Sequence, residues 1–454
     1  MSKPYRTLFV GTLVQESFLS VGGTDDPYTT VDGPFCRDGL ERPTLRGTGL
    51  AGALVATLRR VNKGKVPAAI SCAADGRQPS VWRTFHSHPE NAPVPAFRQH
   101  VAIDEKTGAA AEGALFNVET LPPETRWPFL LEVDTSRDSE SRLADLARAT
   151  LAEWQAGRCW LGREVARGLG WMRLENLAEY CLTGEHVGQW PQSGQAENYP
   201  EYIARTFARA KQPMPLVSHE LPIGLLEITG RIVAGPRLPL EGMDQGYGLD
   251  SLSVGGHASD TLAAEWDACF LKPEGRVDPA KDFDPDLTVV MRQKGGRREA
   301  YVPGSSLRGP LRHALARLLR SRGQNTSLVD RLFGSKDKDS ARLLIRDAFP
   351  KGPLTLAWFQ QHAEDEFAGG AYGSAKFDRV ALVAGSFEWK MVLEGTPEEL
   401  REFCEEGLQP LIELAKAGQI GLGGGQWRGH GWLRWEFDEF DEFDEHARPR
   451  EAAQ

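Results

Sequence analysis

The sequence RGLGWMR at residues 167–173 decides the organisation of this chain, because RGHGWLR at residues 428–434 repeats five of its seven positions. The two copies lie 261 residues apart (428 − 167). Glycine exposes backbone N–H groups and permits a positive φ, so each copy predicts a tight loop that leads into a strand. A motif that returns at this distance is typical of a duplicated domain.

Two further pairs of segments recur in the same order. They are VGG at 21–23 and 254–256, and LRGTGLAG at 45–52 with VPGSSLRG at 302–309. Because the order is kept while the spacing drifts, the sequence predicts a tandem duplication with loop insertions. The length of 454 residues fits two domains of roughly 200 residues each. We predict a first domain at 1–205, a linker within 191–215, a second domain at 216–440 and a disordered acidic tail at 441–454.

Apolar periodicity predicts the same elements in both halves. Residues 7–14 and 225–233 are typical of an opening strand, and leucines at helical spacing follow Gly47 and Gly304. Further strands and a second helix come next, and Thr396 begins the later helix with a capping box. This order favours an α+β fold of two tandem ferredoxin-like units.

Composition narrows the class of protein. Hydrophobic residues make up 41% and charged residues 26%, as in folded soluble domains. No apolar run approaches the ~18 residues that span a bilayer, and the first residues do not resemble a secretory signal. We therefore expect a cytoplasmic protein without membrane contact. Six scattered cysteines predict reduced structural thiols rather than a zinc site.

The formal charge of −10 argues against a general polyanion binder. Part of this negative charge lies in the sequence EFDEFDEFDE at 436–445, which is typical of a solvated chain end. Affinity for phosphate depends on the local field of a groove. RNA binding therefore requires the basic residues to be concentrated near the glycine loops.

Glycines that expose N–H groups, helix starts and adjacent arginines are the candidate phosphate ligands. The candidate RNA-binding residues are Gly22, Gly23, Arg46, Gly47, Arg163, Arg167, Gly168, Gly170, Gly255, Gly256, Gly304, Ser305, Ser306, Arg308, Gly423, Gly424, Arg428, Gly429 and Gly431. Tight turns for the glycines and plain N-capping by the serines are the alternative readings. No Walker phosphate loop occurs, so an NTPase is not predicted.

Asp32 and Asp267 recur after the paired glycines and are the candidate catalytic and metal-binding residues. A carboxylate beside a phosphodiester can hold a divalent ion, although a lone loop aspartate can equally form a turn. His86 and His88 have no counterpart in the second half of the sequence. We interpret them as exposed loop histidines.

The motif at 302–309 and the late glycine-rich loop resemble the RAMP superfamily of CRISPR-associated proteins, in particular the backbone subunits of type III effector complexes. Segments 98–119 and 332–377 resemble the thumb hairpin of those subunits. The fused form looks like the double-domain subunit of type III-D-like complexes. In the first half RGTG stands where proline, glycine and two serines are usual.

This resemblance implies two tandem ferredoxin-like (RRM-like) RAMP domains with thumb (hairpin) insertions. It also implies that the glycine loops hold guide RNA and that other CRISPR effector subunits are partners. It further implies that Asp32 and Asp267, with Mg²⁺ or Mn²⁺, support cleavage of single-stranded target RNA at about six-nucleotide spacing. Two alternatives stay open at this point. One is a non-catalytic guide-RNA scaffold, and the other is a metal-independent endoribonuclease that processes guide RNA.

Overall fold

A computed structural model describes most of the chain as two compact units. The described residues are 4–23, 31–71, 79–104, 110–137, 142–190, 199–213, 224–235, 255–256, 288–294, 297–335, 340–364, 367 and 371–438. Apart from two short segments, the first unit extends to Gly224 and the second begins at Leu225.

The first unit contains strands and helices in mixed order. They are β1 (Arg6–Gln15), α1 (Gly47–Val61), α2 (Ala68–Ser71), β2 (Trp82–Thr84), β3 (Ala96–Ile103), β4 (Ala110–Thr120), β5 (Arg126–Val133), α3 (Arg142–Gln155), β6 (Cys159–Trp160), β7 (Trp171–Leu182), α4 (Tyr199–Thr206) and β8 (Lys211–Gln212). The main sheet has the order β2-β5-β1-β7-β6, and β8 also pairs with β7. The first strand of the chain thus lies in the centre of the sheet, between β5 and β7.

Both faces of this sheet are covered. On one face, α1 and α3 bury Leu54 and Leu151 against sheet residues such as Phe9 and Phe129. On the other face, Ile203 of α4 packs in a second apolar cluster with Tyr180 of β7.

The linker predicted within 191–215 is therefore partly folded. Residues 199–206 form α4, and β8 pairs with β7. The physical reason is that Ile203 and Phe207 cover an apolar sheet face, and polar composition alone does not indicate such packing.

The second unit repeats this order. Its elements are β9 (Leu225–Ala234), β10 (Gly255–Gly256), β11 (Thr288–Val289), β12 (Met291–Lys294), β13 (Arg297–Ala300), α5 (Gly304–Ser321), α6 (Ser327–Phe333), β14 (Leu343–Ile345), β15 (Phe349–Pro350), β16 (Thr355–Glu364), β17 (Ala371–Glu394), α7 (Pro397–Glu402), α8 (Gln409–Lys416) and β18 (Arg434–Phe437). Its sheet has the order β14-β17-β9-β18, so the first strand of the unit is again central. One core joins α5 and α8 to the sheet through residues such as Leu315, Leu411 and Trp389.

The sheet register is the same in the two units. Arg173 of β7 pairs with Val14 of β1, and Arg434 of β18 pairs with Val233 of β9. The predicted opening strands and the helices after Gly47 and Gly304 are confirmed. The capping box is also confirmed, because the Glu399 N–H donates to the Thr396 hydroxyl and Glu399 accepts from the Thr396 N–H.

Each unit carries a hairpin, but the hairpins join their sheets differently. In the first unit, β3 pairs with β4, and the turn that contains Pro122 and Pro123 separates β4 from the sheet strand β5. In the second unit, β16 pairs with β17, a continuous strand of 24 residues that is also the neighbour of β9.

Two further expectations concern helices and thiols. In the described part of the chain, no helix is long and apolar enough to cross a bilayer. The cysteines that the structure describes, Cys36, Cys159, Cys181 and Cys404, carry free thiols. Burial raises the pKa of Cys159 well above the usual thiol range, which is consistent with a structural role.

Candidate nucleic-acid interface

The late glycine loop has the same conformation in both units. At matched positions, glycines with left-handed φ are Gly162 (80°), Gly168 (104°) and Gly170 (73°) in the first copy, and Gly423 (72°), Gly429 (85°) and Gly431 (80°) in the second, where Gly425 (78°) is also left-handed. The Leu161 N–H donates to the Gly170 carbonyl at 2.9 Å, and the Leu422 N–H donates to the Gly431 carbonyl at 2.8 Å. Loop residues that lie 261 positions apart in the sequence therefore also share their backbone conformation.

The two loops differ in a few side chains. At matched positions, the first unit has Arg163, Glu164, Ala166 and Leu169, and the second has Gly424, Gly425, Trp427 and His430. Trp427 is 92% exposed and adjoins Arg428, which is also exposed. Sequence reasoning missed this tryptophan, although an aromatic residue beside an arginine in a glycine-rich loop is a signal for base stacking.

In the first unit, Arg163 connects the late loop to the paired glycines. A Cβ on Gly22 would lie 2.7 Å from Arg163 Nη2, and a Cβ on Gly33 would lie 2.9 Å from Nη1. Larger residues at these two positions would displace the guanidinium. The structure thus brings Arg163 to Gly22 and to the loop that contains Asp32, although Arg163 lies more than 100 residues from both in the sequence.

Asp32 is exposed and lies next to β4 of the hairpin. Its Oδ2 accepts a hydrogen bond from the Asn117 N–H at 2.8 Å, and its own N–H donates to Asn117 Oδ1 at 2.9 Å. No group of three or more His, Cys, Asp or Glu side chains within the described ranges has the geometry of a metal site. A single carboxylate fits a Mg²⁺ ion that keeps several waters and binds substrate phosphates, rather than an ion caged by protein alone. Asp267 lies outside the described residues.

The helix starts at Gly47 and Gly304 do not offer their first N–H group to a ligand. His86 Nδ1 accepts the Gly47 N–H at 3.2 Å, and Asp347 Oδ1 accepts the Gly304 N–H at 2.8 Å. His86 and Asp347 occupy equivalent places, because each follows the short strand beside the helix start. The expectation that these helix starts offer free N–H donors was wrong for these two groups. His86 has no histidine counterpart in the second half, but Asp347 accepts the equivalent N–H there.

The serines of the second helix start do not cap it. Pro303 is the N-cap residue of α5 and makes no capping hydrogen bond, and the side chain that accepts the first helical N–H is that of Asp347. Ser305 and Ser306 are half-buried, as is Arg308, whose guanidinium lies 5.9 Å from the ring centre of Phe333. The N-capping alternative for these serines is therefore wrong.

The remaining candidate RNA-binding residues lie in different elements of the fold. Arg46 is exposed at the start of α1, and Arg167 is half-buried in the late loop. The Gly23 N–H donates to the Pro34 carbonyl at 3.1 Å. Gly255 and Gly256 form β10, which pairs with β11.

A buried arginine and a buried histidine adjoin the second late loop. Arg379 of β17 is 5% exposed and His430 is 3% exposed. Burial lowers the pKa of the Arg379 guanidinium, and nearby Arg428 lowers it further. Burial also lowers the pKa of His430, with added repulsion from Arg379 and Arg428. The loop therefore has a positive field around it although the whole chain is acidic.

Most of the chain matches a known protein family. A family model described as the RAMP superfamily matches residues 19–173 and 253–434, which together make up well over half of the chain. The chain belongs to the RAMP superfamily. The two matched regions contain both late glycine loops and both central helix starts. The comparison with curated proteins finds no match.

RAMP proteins are generally CRISPR-associated, bind RNA and assemble with other CRISPR subunits, and some of them are ribonucleases. The two family regions agree with the repeat that the sequence predicts. The mixed α+β class is confirmed by the sheets and helices of both units.

His430 provides a pH test of the second RAMP loop. Because its folded pKa is lowered from the usual value, the unfolded chain binds a proton that the folded chain resists as the pH falls below about 6.5. Folding stability should therefore decrease between about pH 7 and pH 5.5. His430→Leu, which copies Leu169 of the first loop, should make this decrease smaller. Urea unfolding midpoints across this range measure it, and equal pH slopes in both proteins would contradict it.

Proposed function

We propose that the chain is a backbone subunit of a type III CRISPR effector ribonucleoprotein, built from two ferredoxin-like RAMP domains. In this proposal the late glycine loops and adjacent arginines hold guide RNA, and Asp32 and Asp267 support metal-dependent cleavage of target RNA. A type III-D-like complex is the specific assignment. The partners are guide RNA, single-stranded target RNA and other effector subunits.

The observation that carries this proposal is the double occurrence of one loop conformation in a RAMP chain. In each copy, glycines permit the left-handed backbone that the loop requires, and an arginine, Arg167 or Arg428, ends the loop's short helical turn. Guanidinium groups suit phosphate oxygens. The strand orders β2-β5-β1-β7 and β14-β17-β9-β18 support the ferredoxin-like assignment.

The nuclease part of the proposal concerns Asp32 first. Its hydrogen bond from Asn117 fixes the carboxylate beside the hairpin, while the side chain stays exposed to a bound strand. When bound, a divalent ion would activate a nucleophile and neutralise charge that develops on the phosphate. The contribution of the protein is to hold this carboxylate in position and to place RNA across it.

Asp32→Asn tests the nuclease role with little change in structure, because an asparagine oxygen can still accept the Asn117 N–H. In the complex with guide RNA, we expect one cleavage product of a complementary target to decrease by roughly a hundredfold or more. Asp267→Asn should remove a second product about six nucleotides away. The measurement is the pattern of labelled target fragments with Mg²⁺ or Mn²⁺ and with chelator.

Asp38→Asn is the matched control, since Asp38 lies in the same loop and pairs with Arg42. It should leave all products unchanged. Full cleavage by the Asp32→Asn/Asp267→Asn protein would refute the nuclease assignment.

A non-catalytic scaffold is the second candidate function, and the hydrogen bonds between Asp32 and Asn117 favour it because they give the aspartate a structural role. A complex that binds guide and target without cutting in either metal would identify this function. Cleavage of precursor guide RNA by the isolated chain in chelator would instead indicate a processing endoribonuclease.

A further inference from the structure

The strands β12 and β13 form a hairpin that precedes α5 in the second unit. Its sequence, MRQKGGRREA at residues 291–300, contains four basic residues and one acidic residue. The two residues that join the strands, at positions 295 and 296, are both glycine. The β12–β13 hairpin therefore carries a local charge of +3 (4 − 1) in a chain with a formal charge of −10.

The single acidic residue of the β12–β13 hairpin is bound to a buried arginine. Arg292 Nε donates to Glu299 Oε1 at 2.7 Å, and the Arg292 guanidinium lies 3.8 Å from the ring centre of Phe349. Arg292 is 7% exposed, so this pair holds the base of the hairpin in place. Lys294 Nζ lies 4.0 Å from the same carboxylate oxygen, but its side chain is 49% exposed, and such a contact contributes little.

The basic tip of this hairpin, which we define as Lys294, Arg297 and Arg298, contains only positive charges. Lys294 and Arg297 are direct cross-strand partners, and Arg298 follows on the same strand. Residues at directly opposite positions are close neighbours, and two like charges there destabilise a hairpin. This arrangement is unfavourable in the free protein, and an anion bound at the basic tip would offset the repulsion.

The first unit has a charge-balanced turn at the equivalent place. Each of the two segments ends four residues before a helix start, at Pro43 and at Ala300. In the first unit, the segment RDGLERP at 37–43 contains two basic and two acidic residues. Asp38 pairs with Arg42 at 2.8 Å within this turn. A surplus of positive charge therefore distinguishes the hairpin of the second unit from its counterpart.

We propose that the basic tip binds the sugar–phosphate backbone of single-stranded RNA, at a site outside the glycine loops and the helix starts. The inference rests on the proposed function for the choice of RNA as the polyanion. Lysine and arginine on neighbouring strands suit successive phosphate groups, and contacts of this kind carry no base sequence information. The turn of the first unit lacks the surplus charge, so the two units hold RNA unequally.

The double variant Lys294→Gln/Arg297→Gln tests this site, because it removes two charges and leaves the base of the hairpin intact. Arg317→Gln/Arg322→Gln is the matched control, since it removes two charges from the exposed end of α5. The measurement is binding of labelled single-stranded RNA to the full chain over a series of salt concentrations. We expect the tip variant to bind unrelated RNA sequences about tenfold more weakly and to reduce the salt slope by about 1.4. The control should change neither quantity.

A second measurement distinguishes a loss of binding from a loss of folding. Arg297→Glu places a carboxylate opposite Lys294, so it should keep or raise the melting temperature of the RNA-free protein. The same variant should weaken RNA binding more than Arg297→Gln does, because a carboxylate repels phosphate. A melting temperature below that of the wild type would contradict the cross-strand contact on which the inference depends.

The outcomes separate the inference from the proposed function. Equal affinities and salt slopes for the wild type, the tip variant and the control would overturn the inference and leave the proposed function standing. Weaker binding by the tip variant, but not by Arg167→Gln/Arg428→Gln, would support the inference and count against the glycine loops of the proposed function. If the tip variant keeps its RNA affinity but loses binding of poly-glutamate, the basic tip serves an acidic protein partner and the inference is overturned. A wild type that binds no RNA would overturn both.

Discussion

Gly170→Ala and Gly431→Ala, made separately, are each expected to destabilise the protein by about 3 kcal/mol and to abolish RNA binding at the altered loop. An alanine Cβ would lie 1.9 Å from the Leu161 carbonyl oxygen in the first case and 2.0 Å from the Leu422 carbonyl oxygen in the second. Both glycines also have a left-handed φ, near 73° and 80°. Alanine therefore meets a steric clash and backbone strain at once.

The control is Gly52→Ala, in the middle of α1, where a Cβ would meet no atom within 4 Å. This change should be neutral or stabilise the protein by up to about 1 kcal/mol, because alanine favours the helix. Urea unfolding midpoints and RNA binding report the effects. If Gly431→Ala unfolds at the same midpoint as Gly52→Ala, the loop conformation described above is wrong.

Glu153→Ala should destabilise the first unit by about 3–5 kcal/mol, because it leaves a buried guanidinium without its acidic partner. Arg158 Nε donates to Glu153 Oε2 at 2.6 Å, and Arg158 Nη2 donates to Glu153 Oε1 at 2.8 Å. The side chains are only 4% and 8% exposed. The free energy of unfolding, measured with urea, should show the loss.

Two further variants make this prediction specific. Asp145→Ala on the same helix removes an exposed partner of Arg148 and should cost roughly 0.5 kcal/mol or less. The double variant Glu153→Leu/Arg158→Gln copies Leu414 and Gln419, which stand 261 residues later, and should recover most of the stability. A double variant as unstable as Glu153→Ala would mean that the two units do not share this packing.

The repeat in the sequence was sufficient to predict the main elements of the fold. Opening strands, the helices after Gly47 and Gly304, and the capping box at Thr396 depend on local periodicity and local hydrogen bonds, which the sequence displays directly. The helix α4 was missed, because its assignment depends on an apolar sheet face formed by distant strands.

The candidate site was predicted less completely, for a physical reason. His86 and Asp347 bind N–H groups 39 and 43 residues away, and Arg163 fits between glycines from another part of the chain. Such contacts depend on tertiary packing and leave no periodic pattern. Nothing in the sequence indicated that Arg379 is buried, since an arginine within a strand ordinarily faces solvent.

The different attachment of the two hairpins has a mechanical consequence. Because β17 extends from the second hairpin into the central sheet, a load on that hairpin would act directly on its hydrogen bonds with β9. In the first unit, the turn with Pro122 and Pro123 lies between β4 and β5, so the hairpin and the sheet share no continuous strand. A load on the second hairpin would therefore reach both Arg379, which lies on β17 opposite Phe359, and the central sheet.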